Sequence, residues 1–176
     1  MDFEKAYDCV DRVFLEWCLM QPGFGDNFVG MVMLLHNCTS VRVLMRDGVL
    51  AEISVKSGVH QGCSIALYLY VISMLLLLLG IKECEAITIK GIGVWAFALV
   101  DDMVVYYRDE ADTKRKIELV REYELASGQK LNLDKSECVA FQPPGNFIRL
   151  QNFFGTNTCT TLLEAPLSVN RYIGDL

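Results

Sequence analysis

The chain has 176 residues, 52% hydrophobic and 22% charged, with a formal net charge of −6. This is apolar material for one domain-sized core, and without a basic surplus the chain is not expected to grip nucleic acid by its own electrostatics. Seven scattered cysteines with no CxxC pair exclude a zinc framework and a disulfide scaffold.

Reduced thiols and the charged start MDFEK point to an intracellular protein of the cytoplasm or nucleus. A helix follows Asp8, with Val10, Val13, Phe14 and Trp17 on its apolar face and Asp11, Arg12 and Glu16 opposite. Pro22-Gly23 and Gly25 end it, and Asp26 or Asn27 caps a second helix over 28–35. A hairpin is expected over 40–55, with Asp47-Gly48 supplying a type I′ turn. The glycine-punctuated loop SGVHQGC (57–63) leads into an uncharged run over 65–81. That run is just short of the ~20 residues that span a bilayer, so a buried helix is favoured over a membrane span. A connector over 82–94 holds one short strand (86–89). Beyond it, a charged helix over 109–127 turns Ile117, Val120 and Tyr123 inward and stops at Gly128. A strand-and-turn segment over 131–141 ends at Pro143-Pro144-Gly145, and a Thr-rich tail follows. This element order fits an α+β layout, with helices covering one face of a largely antiparallel sheet.

The stretch WAFALVDDMVVYYRD (95–109) organises the rest. Asp101 and Asp102 interrupt apolar flanks, the pattern of a tight hairpin with the two carboxylates as its turn. Flanks without alternation suggest strands buried on both faces. Carboxylates held near a core are costly unless a cation compensates them. Bound Mg²⁺, which prefers carboxylate oxygens, is the simplest one, although Asp is also an ordinary solvated turn residue. Asp2 is a further carboxylate, and three acids around two metal ions would suit phosphoryl or nucleotidyl transfer.

Five motifs in this order, DFEKAYD, SGVHQGC, ALVDDMVV, SGQKLNLDKSE and RYIG, resemble the palm of reverse transcriptases from non-LTR (LINE-type) retrotransposons. The resemblance runs from Asp2 to Gly174 and is weakest over 142–170. It implies a polymerase-palm-like antiparallel sheet with helices on one face, incomplete fingers and no thumb. A partial palm would occupy 1–141, with a divergent tail over 142–176 that ends near the start of the last palm motif. The implied activity is RNA-directed DNA polymerisation, with RNA template, DNA primer and dNTPs as partners and two Mg²⁺ as cofactor. Asp2, Asp101 and Asp102 would be the catalytic and metal-binding carboxylates. Tyr7 would be a steric gate against the ribose 2′-hydroxyl, and Gly58, Gln61 and Gly62 would border nucleotide and template. Lys135, with Lys130 as second choice, would assist pyrophosphate departure.

Plain readings stand beside these roles: Tyr7 as a core aromatic, Gln61 serving its own loop, Lys135 as a solvated turn lysine, and His36 and His60 as helix-end and loop residues. The chain departs from the family where Ser64-Ile65-Ala66-Leu67 replaces Pro-Leu-Ser-Pro and where Leu99-Val100 replaces Tyr-Ala. Only Met1 precedes Asp2, so a weakly held Asp2 and no unaided activity are expected. The rival readings are an inactive retrotransposon remnant and a membrane protein spanning 65–81.

Overall fold

A computed structural model describes residues 1–150 apart from 38, 47, 50 and 143–145. Asp47, the Pro143-Pro144-Gly145 break and the RYIG motif therefore lie outside the described residues. The described residues divide into two compact units, one of Lys5–Leu76 with Leu125–Gln129, the other of Met1–Glu4, Leu77–Glu124 and the described residues from Lys130 onward.

The first unit opens with α1 (Ala6–Cys9) and α2 (Arg12–Met20), followed by α3 (Asp26–His36). The Asp11 carboxylate caps α2 by accepting from Phe14 N at 2.9 Å. The core-facing side of α2 is Arg12, Phe14, Leu15, Cys18 and Leu19. Val10 and Phe14 are buried as expected, but the rest of the expected face is corrected, since Val13 is 75% and Trp17 49% exposed, while Arg12 is buried. Local periodicity alone could not choose between the two apolar stripes of this helix. Gly25, without a side-chain cap, precedes α3 in place of the expected Asp26 or Asn27.

The predicted hairpin forms as two short ladders. β1 (Thr39–Val41) pairs with β4 (Ile53–Val55), and β2 (Leu44–Met45) with β3 (Gly48–Val49). Gly48 faces Met45 and so stands in a strand instead of the expected turn. Next comes α4 (Ala66–Lys82). It buries Ala66, Leu69, Tyr70, Ser73, Met74, Leu77 and Ile81 and exposes Leu67, Tyr68, Val71, Leu75 and Leu79. Its apolar run therefore comes from one buried face and one exposed apolar face, and not from burial all round. Among the described residues no helix is long and apolar enough to cross a membrane.

In the second unit β5 (Ile87–Ile89) pairs with β6 (Ile92–Val94), a hairpin that was not foreseen. Its turn residues Lys90 and Gly91 both have positive φ (48° and 79°), the type I′ signature. β7 (Ala96–Leu99) pairs with β8 (Asp102–Val105), and α5 (Glu110–Ser127) follows. β9 (Cys138–Gln142) and β10 (Asn146–Leu150) form a last antiparallel pair. Met1–Glu4 makes backbone hydrogen bonds on both of its edges. Met1 and Met103 exchange backbone hydrogen bonds on one edge, while Glu4 N donates to Lys130 O and Asn132 N to Asp2 O on the other. Phe3, buried, bridges Leu131 and meets the ring of Tyr123 edge-on at 5.8 Å. The architecture is mixed helix with small antiparallel sheets, which is the expected α+β class.

Candidate functional site

The register of the β7–β8 hairpin places Leu99 opposite Asp102, so the turn is Val100-Asp101 and Asp102 is a strand residue. This corrects the expectation that both carboxylates occupy the turn. The buried-on-both-faces expectation is corrected as well. Met103 points inward and is buried, while Phe97, Leu99, Asp102 and Val104 lie on an exposed face. Alternation along a strand requires this, because side chains on either side of an inward Met103 must point out.

Val100 has φ +59°, a left-handed conformation that β-branched residues rarely adopt. Such a turn stores roughly 1–3 kcal/mol of strain, of the kind found at functional sites. Asp101 follows it, half-buried.

Met1 N donates to Met103 O at 2.7 Å, and Met103 N to Met1 O at 3.2 Å. Two residues that exchange both bonds are a hydrogen-bonded antiparallel pair, so their neighbours Asp2 and Asp102 stand opposite each other on one face. Burial lowers the pKa of the Met1 ammonium, and the charges of Asp2 and Asp102 oppose that shift. Asp2 is also fixed from its other side. Its N–H donates to Ser136 Oγ at 3.1 Å and its carbonyl accepts from Asn132 N at 2.8 Å. These bonds on both edges run against the expectation of a weakly held Asp2.

Two like charges facing each other across a ladder repel, and cations nearby offset the repulsion. Lys135 Nζ lies 3.7 Å from Asp2 Oδ2, with Lys135 itself largely exposed. In donor chemistry, opposed carboxylates suit a hard divalent cation. Among the described residues, however, no three His, Cys, Asp or Glu side chains gather into a metal-holding cluster. The fold brings Asp2 and Asp102 to one face and leaves Asp101 in the adjoining turn.

The remaining candidates belong to the first unit. Tyr7 stacks on buried Tyr70 with ring centroids 4.8 Å apart, and the Tyr70 hydroxyl donates to Gln129 Oε1 at 3.2 Å. Loop 57–61 lies along residues 7–10: Gly58 N donates to Val10 O and Val59 N to Tyr7 O, each at 2.8 Å. Gly58 has φ +83°, and a Cβ there would stand 2.7 Å from Asp8 Cα, Asp8 O and Tyr7 O. Gly62, at φ +88°, has open space around it. Gln61 Nε2 donates to Asp8 Oδ1 at 3.1 Å.

Three residues escaped the sequence reading. Arg12, assigned to a solvated face, is buried; its guanidinium donates to Val55 O (2.9 Å), Ser57 O (3.3 Å), Gly58 O (3.4 Å) and Thr39 Oγ1 (3.4 Å). A cation in the first turn opposes the helix dipole, and that anomaly was the one available signal. Asp8 and Lys116 carried none. His36, the last residue of α3 as expected, is also fully buried and stacks on His60 with ring centroids 5.1 Å apart. Cys18 is buried, and burial pushes its thiol up to about 12; Cys9, Cys63 and Cys84 are free thiols of intermediate burial.

A protein described as "Transposon TX1 uncharacterized 149 kDa protein" from Xenopus laevis is 31% identical over 140 residues, which are 77% of this chain and 11% of that protein. The chain thus spans about a tenth of the length of this relative. The profile described as "Reverse transcriptase (RNA-dependent DNA polymerase)" matches residues 1–162. The chain belongs to the reverse transcriptase (RNA-dependent DNA polymerase) family.

Proposed function

We propose that the chain is the palm portion of a non-LTR retrotransposon reverse transcriptase, and that its site serves template-directed addition of deoxynucleotides to a primer 3′-end. The observation that carries this reading is the opposition of Asp2 and Asp102 on one exposed face, next to the strained Val100-Asp101 turn. In the reaction the primer 3′-oxygen bonds to the α-phosphorus of a dNTP and pyrophosphate leaves. Asp2, Asp101 and Asp102 are the residues that would hold two Mg²⁺, which supply charge neutralisation to the triphosphate and to the attacking oxygen. Lys135, already beside Asp2, is the cation that would give a proton to the departing pyrophosphate. Tyr7, braced by Tyr70, is the gate against ribonucleotides. Gly58, Gln61 and Gly62 border nucleotide and template. The partners in this reading are an RNA template, a DNA primer and dNTPs.

The test has two arms. Mn²⁺, a spectroscopic stand-in for Mg²⁺, is expected to bind the chain and to bind more weakly after Asp2→Asn or Asp102→Asn. Equal binding by all three proteins overturns the carboxylate site. Primer extension on an RNA template, run beside Asp101→Asn, then asks whether this chain alone completes the reaction; extension lost in the variant extends the proposal to catalysis.

A further inference from the structure

Asp8 has no part in the function proposed above, yet it is where loop 57–61 rests. Ser57 Oγ donates to Asp8 O at 3.0 Å, and Gly58 lies against Asp8 so closely that a Cβ would come within 2.7 Å of its Cα. With Gly58 N on Val10 O and Val59 N on Tyr7 O, the loop backbone and residues 7–10 form one body. The bond from Gln61 Nε2 to Asp8 Oδ1, 3.1 Å, therefore joins two segments whose spacing is already set by backbone contacts.

The consequence lies in amide chemistry. The last torsion of glutamine is broad and roughly two-fold, so an unrestrained side chain can present either its oxygen or its NH₂ in a given direction. An ionised carboxylate only accepts. Gln61 must turn an N–H toward Asp8, which directs Oε1 the other way. We propose that Asp8 is a positioning residue that determines which end of the Gln61 amide faces an incoming dNTP. This rests on the nucleotide-bordering role given to Gln61 above. Both side chains are exposed, so the bond adds little to folding stability and acts through orientation. Asn at position 8 keeps the size but offers a donor as well as an acceptor, which removes the constraint.

The full chain, isotope-labelled, reports the bond directly. The Gln61 side-chain amide signal is assigned by its loss in Gln61→Glu. In Asp8→Asn it should move toward the value of free glutamine, with the melting curve unchanged. Mg·dGTP is expected to bind Asp8→Asn about three- to tenfold more weakly, the range for one lost hydrogen bond. In a Gln61→Ala background Asp8→Asn should add nothing. A Gln61 signal indifferent to Asp8→Asn overturns the proposal, as does the same affinity loss with and without Gln61. A wild-type chain that fails to bind Mg·dGTP while its amide signal behaves as described overturns the functional reading and the nucleotide-facing half of the proposal, and leaves the orientation of Gln61 by Asp8 standing.

Discussion

Lys116 Nζ lies 2.7 Å from Asp112 Oδ2, one turn away on α5, and the two side chains are 0% and 4% exposed. The three protons of the ammonium are used in full, since it also donates to Tyr106 O at 2.7 Å and Glu85 O at 3.0 Å. Asp112 accepts Arg108 N as well, at 3.0 Å. Lys116 thereby ties α5 to the connector before β5 and to the chain just beyond β8, the strand that begins at Asp102.

Replacing Lys116 by Met leaves Asp112 buried without its cation. The expected cost is about 3–5 kcal/mol, the range for breaking a buried pair by removing one partner. Removing both charges, as Lys116→Met with Asp112→Leu, should recover most of that loss. Urea unfolding of the three proteins checks it, and a double variant no better than the single one would show that the backbone carbonyls carry the effect.

Gly58 and Gly62 have nearly the same φ, +83° and +88°, and differ in what surrounds them. Alanine at Gly62 should cost only the left-handed backbone term, about 1–2 kcal/mol. At Gly58 the new methyl meets the backbone of Tyr7 and Asp8, so overpacking adds roughly 1–3 kcal/mol more. Comparing the two alanine variants by denaturation isolates the steric part. Equal losses would mean that the loop gives way easily around Gly58.

His36 gives a pH dependence with a definite sign. Burial first, then His60 and Arg12, lower its pKa below the ordinary value of 6.5. Neither ring nitrogen has a hydrogen-bond partner among the described residues. A group whose folded pKa is depressed stabilises the fold fully above its unfolded pKa and loses that contribution as pH falls. Stability should therefore decline on acidification below pH 6.5. The variant His36→Phe, which keeps an aromatic ring and removes the unpaired nitrogens, should flatten that decline and gain about 1 kcal/mol or more at neutral pH. Unfolding measured at neutral and mildly acidic pH decides it; an unchanged slope in the variant would assign the effect to His60 or to carboxylates.

The sequence by itself determined the family and the broad class. Five short motifs in one order over most of the chain are far more specific than any one of them, and helices such as α4 and α5 follow from local apolar runs and stop signals. The tertiary structure decided everything that turned on register and on partners distant in sequence. Setting the β7–β8 turn one residue earlier moved Asp102 from turn to strand, and the bonds exchanged by Met1 and Met103 set it opposite Asp2. It also decided that Arg12 and Lys116 lie inside. A buried cation is tolerable only where acceptors converge on it, and the acceptors that do so come from Thr39, Val55 and Ser57 for Arg12, and from Glu85 and Tyr106 for Lys116. No window of local sequence contains that convergence.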